Sequence, residues 1–547
     1  MTRLPVLFVV IGVLIAGVLY DRVDEQRPEV VAVETEAIVT PSVSDPSRLD
    51  GAWFCPVGSS SPNGFADQRV HVSNLADEAA VANVAVLTGE GRGPNIRVDI
   101  PPLSTQSVDL SSFSQADVAG AVVEIIGGTG VVGHTVQTEV GAAEGACSTH
   151  VSNTWFFAGG RTTRDSTQYL ALMNPFPEDV VFNVEFYRAA GRPRRPAELQ
   201  GGVIPASSVR IIDVGEFVAR EENVATAIST VRGRLVAERL QIMDGVLGPE
   251  GAALQLGVVD AAPSWMLASG RVHAGGDDRV VIFNPSLENT ASVDVQLWPT
   301  NPTDRSLYGL APIPRELLPG RFEVVDLRAE ADRFRLFLPY EIGVSVTSTN
   351  NVPVVAERWH LATEIDTNLI GAGGDQVEST LDIDESSADA TADDTGEVPA
   401  DEELSPEELA AEDVAPGELD VPGILGGQAS ELPQPTASSG IATTRGTEVL
   451  SDRWILPWVP LPSETSSVVV VSSPNDATAE IFVLSNGELA GPFREAVPAG
   501  GRAVSVINVP AAAGPILVVA DQPVSVEAQV VAPDGSLSVI PGIPTVD

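Results

Sequence analysis

The sequence predicts an all-β protein of four tandem immunoglobulin-like β-sandwich modules, with one N-terminal transmembrane helix and a disordered acidic linker. Three observations lead there. Trp recurs at Trp53, Trp155, Trp265 and Trp454, followed after 21, 19, 19 and 19 residues by Asn74, Asn174, Asn284 and Ser473. Between these landmarks apolar residues alternate with period two, the pattern of half-buried strands. Aromatics are only 5% of the 547 residues while Gly (49) and Pro (42) abound, which suits short strands and tight turns better than helices.

The chain begins with 17 uncharged residues, Leu4 to Tyr20, behind Arg3 and ahead of Asp21. This is the short end of a bilayer-spanning helix. Residues 1–20 are therefore expected to be a signal anchor that holds the chain in the cytoplasmic membrane, with the C-terminal bulk extracytoplasmic. Cleavage as a signal peptide, giving a secreted protein, is the competing reading, although no A-x-A site follows the run. Residues 21–50 are polar, aperiodic and stalk-like.

The repeat places modules at 51–152, 153–262, 263–372 and 451–547. After the Trp strand and the Asn turn comes another strand: Val84 to Leu87, Val184 to Tyr187, Val293 to Leu297 or Ile481 to Leu484. A Pro then precedes a strand ending in Asp or Asn (Pro101 to Asp109, Pro205 to Asp213, Pro319 to Asp326, Pro498 to Asn508), and a Val-rich hairpin closes each unit. Short strands at this density, in units of roughly 100 residues, fit a two-sheet antiparallel sandwich. Units of that size exceed a usual propeller blade.

Cys55 lies two residues after Trp53, and Cys147 lies on the last strand of the first module. Outside the membrane the two would form a structural disulfide stapling first strand to last. Residues 373–450 change character: from Asp375 to Glu431 there are 19 acidic residues and no basic one. Such a segment buries too little apolar surface to offset its ordering entropy, so a disordered spacer is expected. A weak tract for divalent cations or a basic partner is the sharper alternative, but the spacing and turn Gly of a calcium loop are missing.

Catalytic signatures are sparse. The net charge of −44, with no Lys and 31 Arg, excludes nucleic acid as a partner, because phosphate backbones require clustered cations. His71, His134, His150, His273 and His360 form neither H-E-x-x-H nor a metal-spaced pair, and no P-loop, Rossmann fingerprint or G-x-S-x-G occurs. No cofactor is expected. The informative polar position is in the closing strand, where Glu238 shares a face with Val236, Leu240 and Ile242, and Glu357 with Val355, Trp359 and Leu361. His134 is the matching residue of module 1 by this period, while Glu527 falls with Ser525 and Gln529 on a polar face. A carboxylate among apolar residues needs a partner. Arg161 and Arg271, each after a Gly-containing turn, are candidates, and the plain reading is a structural ion pair.

Trp155-Phe156-Phe157-Ala158-Gly159-Gly160, Tyr169 to Pro175, Ile204 to Ser208 and Val236-Ala237-Glu238-Arg239 together resemble the "WYFAEG … NP … V-E-R" repeat of bacterial, notably actinobacterial, surface and secreted proteins. That repeat is similar to the uncharacterised domain of unknown function 5719. The similarity covers roughly 50–372 and 450–547, is best in module 2, and implies an extracytoplasmic β-rich repeat protein with no assigned activity or ligand. Module 2 has Gly159 where the motif has Glu, so no role of that Glu carries over.

The expected function is non-catalytic: a membrane-anchored display or scaffold protein of the cell envelope that contacts an envelope protein or polysaccharide. The alternative is an accessory subunit of envelope polysaccharide or peptidoglycan machinery, and the third reading is a carboxylate-based hydrolase. The sequence leaves oligomeric state open.

Overall fold

The computed structural model describes residues 50–545 except 62–63, 128, 273–275, 300–309, 335–339, 363–439, 458–465, 486–487, 508–512 and 532–536. The anchor, the stalk up to residue 49 and most of the acidic linker lie outside the described residues. Among the described residues no helix is long and apolar enough to cross a membrane.

The protein is all-β, and one strand order recurs along the chain. Repeat 1 contains β1 (Asp50–Cys55), β2 (Asp67–Asn74), β3 (Ala80–Thr88), β4 (Gly91–Ile100), β5 (Ser104–Asp109), β6 (Ala119–Ile126), β7 (Gly130–Thr138) and β8 (Gly141–Ala146). Repeat 2 contains β9 (Thr154–Phe157), β10 (Ser166–Asn174), β11 (Val180–Arg188), β12 (Gln200–Ile204), β13 (Ser208–Asp213), β14 (Val224–Arg232), β15 (Val236–Asp244) and β16 (Glu250–Leu256). Repeat 3 contains β17 (Ser264–Leu267), the short β18 (Arg271–Val272), β19 (Gly276–Asn284), β20 (Ala291–Pro299), β21 (Ile313–Leu317), β22 (Arg321–Asp326), α1 (Leu327–Arg333), β23 (Tyr340–Ser348), β24 (Val355–Ala362) and β25 (Gly440–Arg445). Repeat 4 contains β26 (Ser451–Leu456), β27 (Ser466–Ser473), β28 (Ala477–Ser485), β29 (Glu488–Val497), β30 (Gly501–Ile507), β31 (Ala513–Val531), β32 (Leu537–Pro541) and β33 (Ile543–Pro544).

In repeat 1 the antiparallel sheets run β1-β6-β3-β4 and β5-β2-β7-β8, and repeats 2 and 3 repeat that order. Repeat 4 keeps it with one long strand: the first half of β31 pairs with β26 and β28, and its second half with β27 and β32. The two sheets of a repeat share an apolar core. In repeat 1 it joins Val70, Val72 and Val132 of one sheet to Trp53, Val84 and Val123 of the other. Second-with-fifth and third-with-sixth strand pairing are those of an immunoglobulin domain, but there the first and fourth strands lie beside the second and fifth. Here the first joins the sixth and the fourth joins the third.

One expectation is corrected. The acidic linker was placed between the third and fourth modules, yet Gly440–Arg445 inside that range is β25, paired along β24 from Ala362↔Gly440 to Glu357↔Arg445. The insertion therefore interrupts the closing hairpin of repeat 3, whose last strand resumes opposite the residue where the previous one stops. Unit size argued against a propeller with the four units as blades, and each unit is a two-sheet sandwich; the sandwiches nonetheless pack in a cycle. The closing strands touch in the order β8, β16, β25, β32 and back to β8. The fifth strand of each repeat leans on the preceding one: β13 on β3, β22 on β11, β30 on β20, and β5 of repeat 1 on β31 of repeat 4. All described residues belong to one compact unit.

Candidate functional site

The motif Glu residues mark the seams of this cycle. Glu238, Glu357 and Glu527 occupy one register position, opposite Ala171, Val281 and Val470, three residues before Asn174, Asn284 and Ser473. All three are buried. Each reaches back into the preceding repeat and accepts from a backbone N–H just after its Trp strand.

At the first seam Val57 N–H donates to Glu238 Oε2 at 3.1 Å, and His134 Nε2 lies 2.9 Å from Glu238 Oε1. Gln68 Nε2 sits 3.0 Å from His134 Nδ1 and donates to the Cys55 carbonyl. An amide nitrogen only donates, so Nδ1 accepts and Nε2 holds the proton given to Glu238. At the second seam Ala158 and Gly159 N–H donate to the two Glu357 oxygens at 2.7 and 3.0 Å, and Arg239 Nη1 donates to Oε2 at 3.0 Å. The Arg239 guanidinium lies between the Phe157 and Trp359 rings, 5.5 and 4.9 Å from their centroids, and donates to Gln255 and the Gly159 carbonyl. This stacking with both terminal nitrogens donating is what a guanidinium provides and an ammonium does not. At the third seam Ser269 N–H donates to Glu527 at 2.6 Å and Thr444 Oγ1 at 3.2 Å, while Arg502 Nη1 donates to the Gly270 carbonyl. Burial pushes the Glu527 carboxyl above its usual range, against the pull of Ser269, Arg358 and Thr444.

Arg358, which aligns with Arg239, is turned to its own repeat and grips Asp278 through two bonds of 2.8 and 2.6 Å. Burial pushes the Asp278 carboxyl up, but Arg358, helped by His360, outweighs it and holds the group below its ordinary value. Among Gly145, Gln255, Thr443, Arg445, Val539 and Pro541, where the four closing strands meet, lies a cavity of about 20 Å³. That is room for a single water. Arg445 there is depressed to about 10 by burial, with Glu448 pulling the other way.

The remaining signature residues are structural clamps. The indole N–H of Trp155, Trp265 and Trp454 donates to the carbonyls of Leu235, Val354 and Val524, just ahead of or at the foot of the closing strand, and Trp53 is wholly buried. Asn174 Nδ2 donates to the carbonyls of Glu178 and Pro205 while its oxygen caps the Phe176 N–H. Asn74 and Asn284 make the same set of bonds, tying the turn after the second strand to the exit of the fourth. Cys55 and Cys147 form a buried disulfide across 92 residues of chain.

Several sequence assignments change. His134 aligns with Arg239, and Gly133 with Glu238, because His71↔Gly133 is the register match of Ala171↔Glu238. Glu527 belongs to the set: the face it shares with Ser525 is buried against repeat 3. Arg161 does not pair with Glu238; it pairs with Glu222 and Asp165 within its own repeat. Of Arg271 only the backbone is described. Sequence reasoning missed Arg239 and Arg358 as partners, although the Glu-Arg pair in both closing strands was a readable signal.

No curated protein matches this chain. The crystal structure of Streptomyces avermitilis alpha-L-rhamnosidase complexed with L-rhamnose is similar at 12% identity and a TM-score of 0.13, over 60% of this chain and 48% of that one. The chain thus covers about half the length of that solved protein. The family described as "Family of unknown function (DUF5719)" matches residues 139–305, from the end of repeat 1 through repeat 2 into repeat 3, and the chain is similar to that uncharacterised family.

Proposed function

We propose that this is a non-catalytic, membrane-anchored, extracytoplasmic protein whose four immunoglobulin-like sandwich modules act as one rigid scaffold for an envelope protein or polysaccharide. The observation that carries the reading is the use of the motif carboxylates: Glu238, Glu357 and Glu527 are buried and hold repeat to repeat. Residues placed this way serve assembly, since a general acid or nucleophile must reach its substrate. The Cys55–Cys147 bond supports an oxidising compartment, and the uncharged run Leu4 to Tyr20 supports an anchor.

The test is a capture experiment. The portion from residue 50 onward, immobilised, should retain a defined envelope component, and the full chain should fractionate with membranes while its outer portion yields to added protease. Recovery in the soluble cytosolic fraction with both thiols alkylatable would end this reading. A single stoichiometric enzyme partner would favour the accessory-subunit alternative. Turnover of a glycoside that Glu238→Gln and Glu357→Gln abolish without unfolding the chain would establish a hydrolase.

A further inference from the structure

We infer that the cycle of repeats has one built-in opening, the seam where repeat 4 meets repeat 1. The other three seams each carry a buried carboxylate clasp across them: Glu238 to Val57, Glu357 to Ala158 and Gly159, Glu527 to Ser269. At the closing seam the two side-chain positions of the clasp are changed together. Gly133 stands where the carboxylate would be, and Ala528 stands where His134, Arg239 and Arg358 do; Pro457 takes the place of Ala158, as Pro56 does in repeat 1, where the next residue, Val57, makes the clasp. A Cβ on Gly133 would lie 3.3 Å from Pro457 Cβ, so proline fills the space a carboxylate takes elsewhere.

The joint change is physically coherent, because keeping the carboxylate or the guanidinium without the other would strand a buried charge. Apolar side chains pack across this seam: Ile455 and Ile543 of repeat 4 lie in the core cluster of repeat 1, with Leu517 packed against it. Chain connectivity points the same way. Successive repeats are joined by the short stretches 147–153, 257–263 and 446–450, so their seams part only by pulling a connector straight. Repeats 4 and 1 are linked only through the whole ring, and their contact must offset the closure entropy of that long loop. Opening there frees an apolar strip around Ile455 and Ile543 and leaves the three clasps intact. Local openings of this kind are drawn from the least stable contacts of a fold.

Hydrogen exchange on the full-length chain, read peptide by peptide, tests this. Amides of 451–457 and 130–138 should exchange at least about tenfold faster than those of 236–244 and 355–362 at the clasped seams. In a Gly133→Cys, Pro457→Cys double variant, whose Cβ atoms would start 3.3 Å apart and need to part by only a few tenths of an ångström to reach disulfide geometry, oxidation should bridge repeats 1 and 4, with Cys55–Cys147 intact by peptide mapping. Exchange at the closing seam should then slow to the level of the others. Equal protection at all four seams in the unmodified chain would overturn the inference, as would a formed bridge that leaves exchange at that seam unchanged.

Discussion

Repeats 1 and 2 solve the same two packing problems with different chemistry. The residue two after the Trp and the residue that follows the last strand of the repeat meet in both. In repeat 2 they are Phe157 and Gly257, whose missing side chain leaves room for the ring, since a Cβ there would lie 2.9 Å from Phe157 Cζ. In repeat 1 they are Cys55 and Cys147, bonded to each other. At the seams, Glu357 meets a guanidinium stacked between two rings, whereas Glu238 meets the imidazole of His134. Leu240 stands where repeat 3 has Trp359, and Val57 stands where repeat 2 has Gly159. Geometry holds these positions, and the residues vary in compensating pairs.

The comparison can be broken hardest at the disulfide. Cys55→Ala with Cys147→Ala should cost up to about 4–5 kcal/mol in the chain-entropy picture, read from urea midpoints. Cys55→Phe with Cys147→Gly, the repeat 2 solution, should recover part of that loss. Next is the charged seam: Glu357→Ala strands the buried Arg239 and should destabilise by about 3–5 kcal/mol. Glu238→Ala leaves an imidazole and one N–H and should cost about 1–3 kcal/mol. Equal losses at the two seams would refute the distinction between them.

A smaller effect is expected at Gly159, where a Cβ would lie 2.3 Å from Trp359 Nε1. Gly159→Ala should cost roughly 1–3 kcal/mol, and less in a Trp359→Leu background, a double-mutant cycle that measures the compensation directly.

The least effect at neutral pH comes from titration. Burial, with Arg69 and His134, holds His71 at about 3 against an ordinary 6.5. As pH falls through that window the unfolded chain takes up a proton the native one refuses, so stability drops. His71→Gln should flatten this acid limb. Glu527 has the opposite sign: above its ordinary value and up to its raised one the native state keeps a proton the unfolded chain has released, so stability falls as pH rises. Urea midpoints across pH 3–8 (about that range) would separate the two slopes in the His71→Gln and Glu527→Gln variants.

Much of each repeat was legible because its signals are local. Period-two alternation marked the strands, and the Trp-to-Asn spacing measured the run from the first strand to the end of the second, which lies in the opposite sheet. Two cysteines, on the expectation that the chain lies outside the membrane, implied their bond. The seams were illegible for the complementary reason. Glu357 and its donor Ala158 are 199 residues apart, and nothing in the periodicity of a strand says which neighbour covers its polar face. That is why Glu527 read as solvent-facing and why Arg161 was an attractive partner for Glu238.

By itself, the sequence determined the class of structure, the recurrence of the unit and the identity of its clamps, because backbone pairing and turn chemistry depend on residues close in the chain. Only the tertiary structure decided that the repeats close on themselves, that β25 lies beyond the acidic insertion, and that each motif carboxylate serves the repeat before its own. Those outcomes depend on which surfaces exclude water together, and burial of that kind is a property of the packed chain.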